Sequence, residues 1–126
     1  MTEFVFDSSA LLALILREPG GDLDDLLDRA AISSDHLVEV LTKMIDLGQL
    51  DEDVLDLQLR ALIRVEPFTE AQAVIAGRLR TATKHLGLSL GDRACLALAI
   101  SGRHDVYTAD GRWAEAQLDC RVNLIR

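Results

Sequence analysis

Four acids in this chain stand where an α/β protein does its chemistry: Asp7, Glu39, Asp92 and Asp110. Asp7 ends the apolar run Glu3-Phe-Val-Phe, and Asp110 follows the run Val106-Tyr107-Thr108, so both lie at strand ends. Glu39 falls in the first turns of a helix after Ser33-Ser34, and Asp92 begins a helix after Gly87. Three of the four adjoin hydroxyl residues or glycine, in Asp7-Ser8-Ser9, Gly91-Asp92 and Thr108-Ala109-Asp110. Such neighbours let a ligand come close and can hydrogen-bond a carboxylate. Carboxylates gathered in one pocket repel, each close pair costing on the order of 4 kcal/mol at roughly 4 Å and an effective dielectric near 20. A shared pocket therefore requires raised pKa values or bound divalent cations. Oxygen ligands without His or Cys beside them favour a hard ion, Mg²⁺ or Mn²⁺. The reaction best matched is metal-assisted hydrolysis of a phosphodiester.

Each acid also has a purely structural role open to it. Asp7 can stabilise the N-terminus of the next helix through its dipole. Glu39 can be one solvated charge among 21 acids. Asp92 is the fourth residue of a Ser89-x-x-Asp92 capping box, and Asp110-Gly111 is a common turn dipeptide. What favours chemistry is the set, because Asp7 and Asp110 end apolar strands of a sheet whose carboxyl edge is the usual ligand crevice.

The elements that must position these acids follow from the pattern. Glu3–Asp7 reads as a strand, and Ser8 or Ser9 caps a helix to Arg17 that Glu18-Pro19-Gly20-Gly21 stops. Residues 22–30 predict an acidic amphipathic helix, and Ala31–Ser34 a short strand. Asp35–Leu47 predicts a helix with Leu37, Val40, Leu41, Met44 and Ile45 on one face and Gly48 at its end. A further helix is expected over Asp51–Leu62, with Val54, Leu55, Leu59 and Leu62 apolar, then a strand over Ile63–Pro67. Thr69-Glu-Ala-Gln72 opens a helix to about His85, and Ser89 opens the apolar helix from Ala94 to Ser101. A strand at Asp105–Ala109, a short helix around Trp113 and a last strand at Arg121–Ile125 complete the chain. Strands alternating with helices predict an α/β fold, one domain over residues 1–126, with a parallel central sheet and helices on both faces.

Composition sets the outer limits. The 126 residues are 49% hydrophobic and 27% charged, values of a globular rather than a disordered chain. The longest apolar runs, Ala10–Leu16 and Ala94–Ile100, are far shorter than the roughly 20 residues a bilayer-spanning helix needs. The start Met-Thr-Glu-Phe lacks the basic region of a secretory signal, so a cytoplasmic protein is expected. Net charge is −8, which argues against binding nucleic acid by bulk attraction. Residues 1–56 carry 14 acids against three bases, whereas residues 57–126 carry seven against ten. A nucleic acid must therefore be met locally, by the arginines of the second half or through bound cations. Cys95 and Cys120 stand apart with no histidine at ligand spacing, which excludes a zinc site. Cys95 reads as a small buried hydrophobe, and His36, His85 and His104 as surface or helix-end residues.

Several stretches resemble PIN-domain ribonucleases, in particular the VapC toxins of bacterial toxin–antitoxin pairs. They are Val5-Phe-Asp-Ser-Ser-Ala-Leu-Leu-Ala-Leu14, Ser33–Lys43 around Glu39, Leu86–Ala99 and Tyr107-Thr-Ala-Asp-Gly-Arg-Trp113, in that order. The block Leu88-Ser-Leu-Gly-Asp-Arg-Ala94 is the most specific, and segment 51–62 the least. The resemblance implies that Asp7, Glu39, Asp92 and Asp110 form a metal-binding catalytic set, with Ser8, Ser9 and Thr108 as supporting hydroxyls. It further implies a Mg²⁺- or Mn²⁺-dependent endoribonuclease acting on RNA, a homodimer, and neutralisation by a small VapB-like antitoxin. An antitoxin segment that is basic or amphipathic would suit the acidic crevice. The rival reading is a non-catalytic PIN-like module that only binds protein or RNA. Other phosphate-handling folds are excluded by motif, since neither a P-loop nor a dinucleotide glycine fingerprint is present.

Overall fold

Five short strands, all parallel, make one sheet in the order β3-β2-β1-β4-β5. The structure is a computed structural model and describes residues 1–48 and 52–126. The strands are β1 (Phe4–Phe6), β2 (Ala30–Ser33), β3 (Arg64–Glu66), β4 (Asp105–Thr108) and β5 (Val122–Leu124). Helices α1 (Ser8–Leu16), α2 (Ser34–Leu47), α3 (Glu52–Leu62), α4 (Glu70–Arg78), α5 (Arg80–Thr83) and α6 (Leu90–Gly102) connect them. This is the expected α/β architecture.

β1 lies in the middle, paired with β2 on one side and β4 on the other. The chain first builds outward through β2 to β3, then crosses to β4 and β5, so strand order reverses at β1/β4. In open parallel sheets that reversal opens a crevice at the carboxyl edge. Because α1 and α2 follow β1 and β2, and α6 precedes β4, all three helices present their N-termini at this edge.

Alternation along the strands divides the core between two faces. Phe6 and Ile32 point to the side of Leu11, Leu14, Val40, Met44 and Leu59. Val5 and Val106 point to the side of Leu88, Cys95, Leu96, Ala99 and Trp113. The apolar runs 10–16 and 94–100 are the helices that press on these two faces. No described helix is long and apolar enough to cross a membrane.

Several local expectations are corrected. Asp7, not Ser8 or Ser9, caps α1, its side chain accepting the Ala10 N–H. The acidic stretch after it is a 3-10 segment over Asp24–Arg29 with no buried residue. On α2 the inward stripe is His36, Val40 and Met44, while Ile45 is 43% exposed. His36 is therefore a core residue rather than a surface one. The helix from Thr69 to His85 is broken into α4, α5 and a 3-10 turn at Lys84–Leu86. Residue 51, the expected start of α3, lies outside the described residues, as do the side chains of Val54 and Leu55. Both cysteines are free, Cys95 fully buried.

Helix α6 ends at Arg103, which adopts the left-handed conformation at φ 58°, ψ 46°. A side chain with a Cβ pays roughly 1 kcal/mol there, and glycine avoids it. Arg103→Gly is expected to raise the thermal midpoint by about 2–6 °C, measured by differential scanning calorimetry. An unchanged or lower midpoint would contradict this reading of the helix end.

Candidate active site

The crevice at the carboxyl edge is organised around the Asp7 carboxylate. Both of its oxygens are engaged: Oδ1 accepts from Ser9 Oγ at 2.7 Å and from the Ala10 N–H at 2.8 Å. Oδ2 accepts from the Thr108 hydroxyl. Thr108 Oγ1 in turn accepts the Asp110 N–H at 3.0 Å, and Ser9 Oγ accepts the Ala109 N–H at 2.9 Å. Side chains from the ends of β1 and β4 are thereby stitched together. Burial raises the Asp7 pKa, and the bonds from Thr108, Ser9 and Ala10 only partly counter it.

A second group forms where α1, α2 and α6 begin. Ser8 Oγ donates to Glu39 Oε2 at 2.6 Å, and the Ser8 N–H donates to His36 Nδ1 at 3.2 Å. The other ring nitrogen, His36 Nε2, lies 3.4 Å from Asp92 Oδ1 and 3.8 Å from Glu39 Oε2. Asp92 sits at the third position of α6 and completes a reciprocal capping box with Ser89, its carboxylate accepting the Ser89 N–H. Burial opposes its charge, but the His36 ring and the Ser89 N–H together hold its pKa below the usual range. For His36, burial opposes the charged form, yet the neighbouring Asp92, Asp7 and Glu39 carboxylates outweigh it and raise the pKa. Gly91 lets α6 come this close, since a Cβ there would lie 3.0 Å from Glu39 Oε1.

Asp110 is placed differently. Its carboxylate caps the 3-10 turn Gly111–Glu115 and is gripped by Arg112, whose Nε lies 3.0 Å from Oδ1. Arg112 also donates to the Leu86 and Gly87 carbonyls, anchoring the guanidinium to the loop before α6. The Arg112 hydrogen bond and charge lower the Asp110 pKa. The four acids differ in exposure: Asp7 is buried, Asp92 and Asp110 are partly buried, and Glu39 is exposed. Asp7 thus forms the floor and Glu39 the solvent side.

Asp7, Glu39, Asp92 and the hydroxyls of Ser8, Ser9 and Thr108 belong to these two networks, whereas Asp110 joins through its backbone N–H alone, its carboxylate being taken by Arg112. Among the described residues, however, no three His, Cys, Asp or Glu side chains close on one point to cage an ion. The donor chemistry fits a hard cation: Asp7, Glu39 and Asp92 offer oxygens, beside the His36 ring, whose Nδ1 accepts the Ser8 N–H. The sequence reading missed His36 and Arg112. The spacing of His36 from Val40 and Met44 on the inward stripe of α2 was the available signal.

A family model described as "PIN domain" matches residues 4–118. No curated protein matches the sequence. Among solved structures, the chain is similar to a DNA-bound VapBC complex from Salmonella typhimurium, at 17% identity and TM-score 0.73, covering 100% of both chains. It is similar to FitAcB from Neisseria gonorrhoeae at 22% identity and TM-score 0.67, covering 97% of each. It also resembles a sarcin–ricin-loop-cleaving VapC toxin of Mycobacterium tuberculosis, at 20% identity and TM-score 0.71, over 94% of this chain and 99% of that one. At such identities these likenesses speak for the fold.

The raised pKa of Asp7 carries a stability consequence. Its folded form keeps the proton to higher pH than the unfolded chain, so stability falls as pH rises through that interval. Asp7→Asn removes the buried charge and keeps the size and an acceptor. At pH 7 the metal-free variant is expected to melt about 2–6 °C above wild type, with the gap closing as pH falls toward the usual aspartate value near 4. Thermal melts of both proteins in chelator across pH check this, and a variant melting below wild type at pH 7 would contradict it.

Proposed function

The chain belongs to the PIN domain family, and from that premise we propose that it is a Mg²⁺- or Mn²⁺-dependent endoribonuclease, the toxin of a toxin–antitoxin pair. The observation that carries the reading is Asp7: a carboxylate buried at the reversal point of a parallel sheet, unpaired with any cation among the described residues. A fold keeps such a charge where the charge is used. Asp7, Glu39 and Asp92 hold the ion in this reading, and Asp110 joins them by exchanging its Arg112 partner. The chemistry a bound ion supplies is Lewis-acid polarisation of phosphate and acidification of a water.

The chain's own residues do the rest. Thr108 and Ser9 orient the Asp7 oxygens, and Ser8 orients Glu39. The N-termini of α1, α2 and α6 turn their positive dipole ends toward the crevice, which favours phosphate and carboxylate alike. Arg112, half exposed at the rim, supplies a cation for an RNA backbone once it leaves Asp110. These local charges offset the overall −8, which would otherwise repel RNA.

As toxin, the protein pairs with a VapB-like antitoxin that lays a basic or amphipathic segment at this crevice. Two of the similar structures are VapBC and FitAcB, which supports a protein partner. The same proposal takes residues 1–126 as one domain acting as a homodimer in the cytoplasm.

Cleavage of labelled RNA by purified protein tests the reading. Wild type is expected to lose activity in chelator and regain it with Mg²⁺ or Mn²⁺ but not with zinc alone. Asp92→Asn is expected to cut activity by about two orders of magnitude and to lower stability by less than about 1 kcal/mol, because Asn still accepts the Ser89 N–H. Full cleavage by metal-stripped wild type, or by Asp92→Asn, would overturn it. A purely binding module would bind RNA and cleave nothing under any of these conditions.

A further inference from the structure

The imidazole of His36 is fully buried, and its Nε2 finds no aligned acceptor among the described residues. Its Nδ1 accepts the Ser8 N–H at 3.2 Å. An accepting nitrogen carries no proton, so the ring's proton sits on Nε2. That N–H is aimed between two carboxylates, Asp92 Oδ1 at 3.4 Å and Glu39 Oε2 at 3.8 Å. The ring is held flat from behind by Trp113, with centroids 6.4 Å apart and planes 28° from parallel. In front of it stands Gly91, where a Cβ would lie 3.0 Å from Glu39 Oε1. Helix start, backbone donor, stacking ring and missing Cβ thus fix one buried donor on one point.

We propose that His36 is a positioning residue of the site: with Nδ1 held by the Ser8 N–H, its Nε2 edge sets the orientation of Asp92 and Glu39 for a metal ion. This rests on the nuclease reading above. A rigid ring held at one nitrogen suits the task better than a flexible Lys or Arg would. A cation in this place would neutralise the carboxylates and compete with the metal, as Arg112 does at Asp110. Ser8 closes the arrangement, because its N–H fixes the ring while its hydroxyl fixes Glu39. One dipeptide turn after β1 therefore sets Asp7 through the capping geometry and two further acids through Ser8 and His36.

The outer partners of metal ligands are worth about 10–100-fold in affinity or activity, and two substitutions separate the two ring nitrogens. Gln extends an amide donor toward the position of Nε2. Asn supplies an acceptor for the Ser8 N–H near Nδ1 but cannot reach Asp92. Mn²⁺ affinity is read by calorimetry on the stripped proteins, beside the thermal midpoint and the split of kcat from KM in RNA cleavage. His36→Asn is expected to fold, to bind Mn²⁺ about tenfold or more weaker, and to lose kcat with KM little changed. His36→Gln is expected to recover most of that affinity. Nitrogen-15 NMR of the wild-type ring supplies a measurement that does not depend on a variant folding, and should show a protonated Nε2 and a bare Nδ1. Equal Mn²⁺ affinity in wild type and His36→Asn, or a proton found on Nδ1, would overturn the positioning role alone. Failure of wild type itself to bind Mn²⁺ would overturn the nuclease reading with it.

Discussion

A carboxylate buried at the end of the central strand of a parallel sheet is the constraint from which the rest of this structure follows. Taking an ionised group out of water costs several kcal/mol unless hydrogen bonds or opposite charges replace the lost solvation. The chain supplies Asp7 with donors from three places: the first turn of α1, the hydroxyl of Ser9 and the hydroxyl of Thr108 at the end of β4. None of these is a cation, so the pKa remains raised. The Thr108 bond works only if β4 lies beside β1, and that neighbourhood is what reverses the strand order. Charge, topology and crevice are one arrangement.

The other acids are handled by different means, and the differences divide their roles. Asp92 is held ionised by a helix N-terminus and the imidazole. Glu39 is half in solvent and tethered by one serine hydroxyl. Asp110 is neutralised by a neighbour two residues away. A cation arriving in the crevice would find Asp7 and Asp92 without a compensating charge, and Asp110 already paired. Arg112 is thus poised either to shield Asp110 or, released, to meet a phosphate.

The positions of the acids were legible because strand ends and helix starts are signalled by sharp changes in periodicity, as at Phe6-Asp7 and Thr108-Ala109-Asp110. The capping box at Ser89 was legible for the same local reason, and both of its bonds are present. It did not compete with a role for Asp92: one oxygen takes the Ser89 N–H while the other faces His36. What the pattern hid was tertiary. A histidine among polar residues at the start of α2 looks like a helix-end residue until Trp113, some 77 positions later, covers it. Ile45 looks inward on a helical wheel, but the sheet reaches only the stripe through Val40 and Met44. The break at Leu79 falls between Gly77 and Thr81, both weak helix formers, yet the backbone dihedrals of Leu79 are still helical.

Metal is expected at the carboxyl edge of the sheet rather than at the four acids of residues 22–28, Asp22, Asp24, Asp25 and Asp28, all of them exposed. Anomalous diffraction from crystals of the wild-type protein grown with Mn²⁺ distinguishes the two directly. The predicted result is an anomalous peak in the crevice bounded by Asp7, Glu39 and Asp92. An empty crevice with Mn²⁺ bound only along Asp22–Asp28, or bound nowhere, would contradict it.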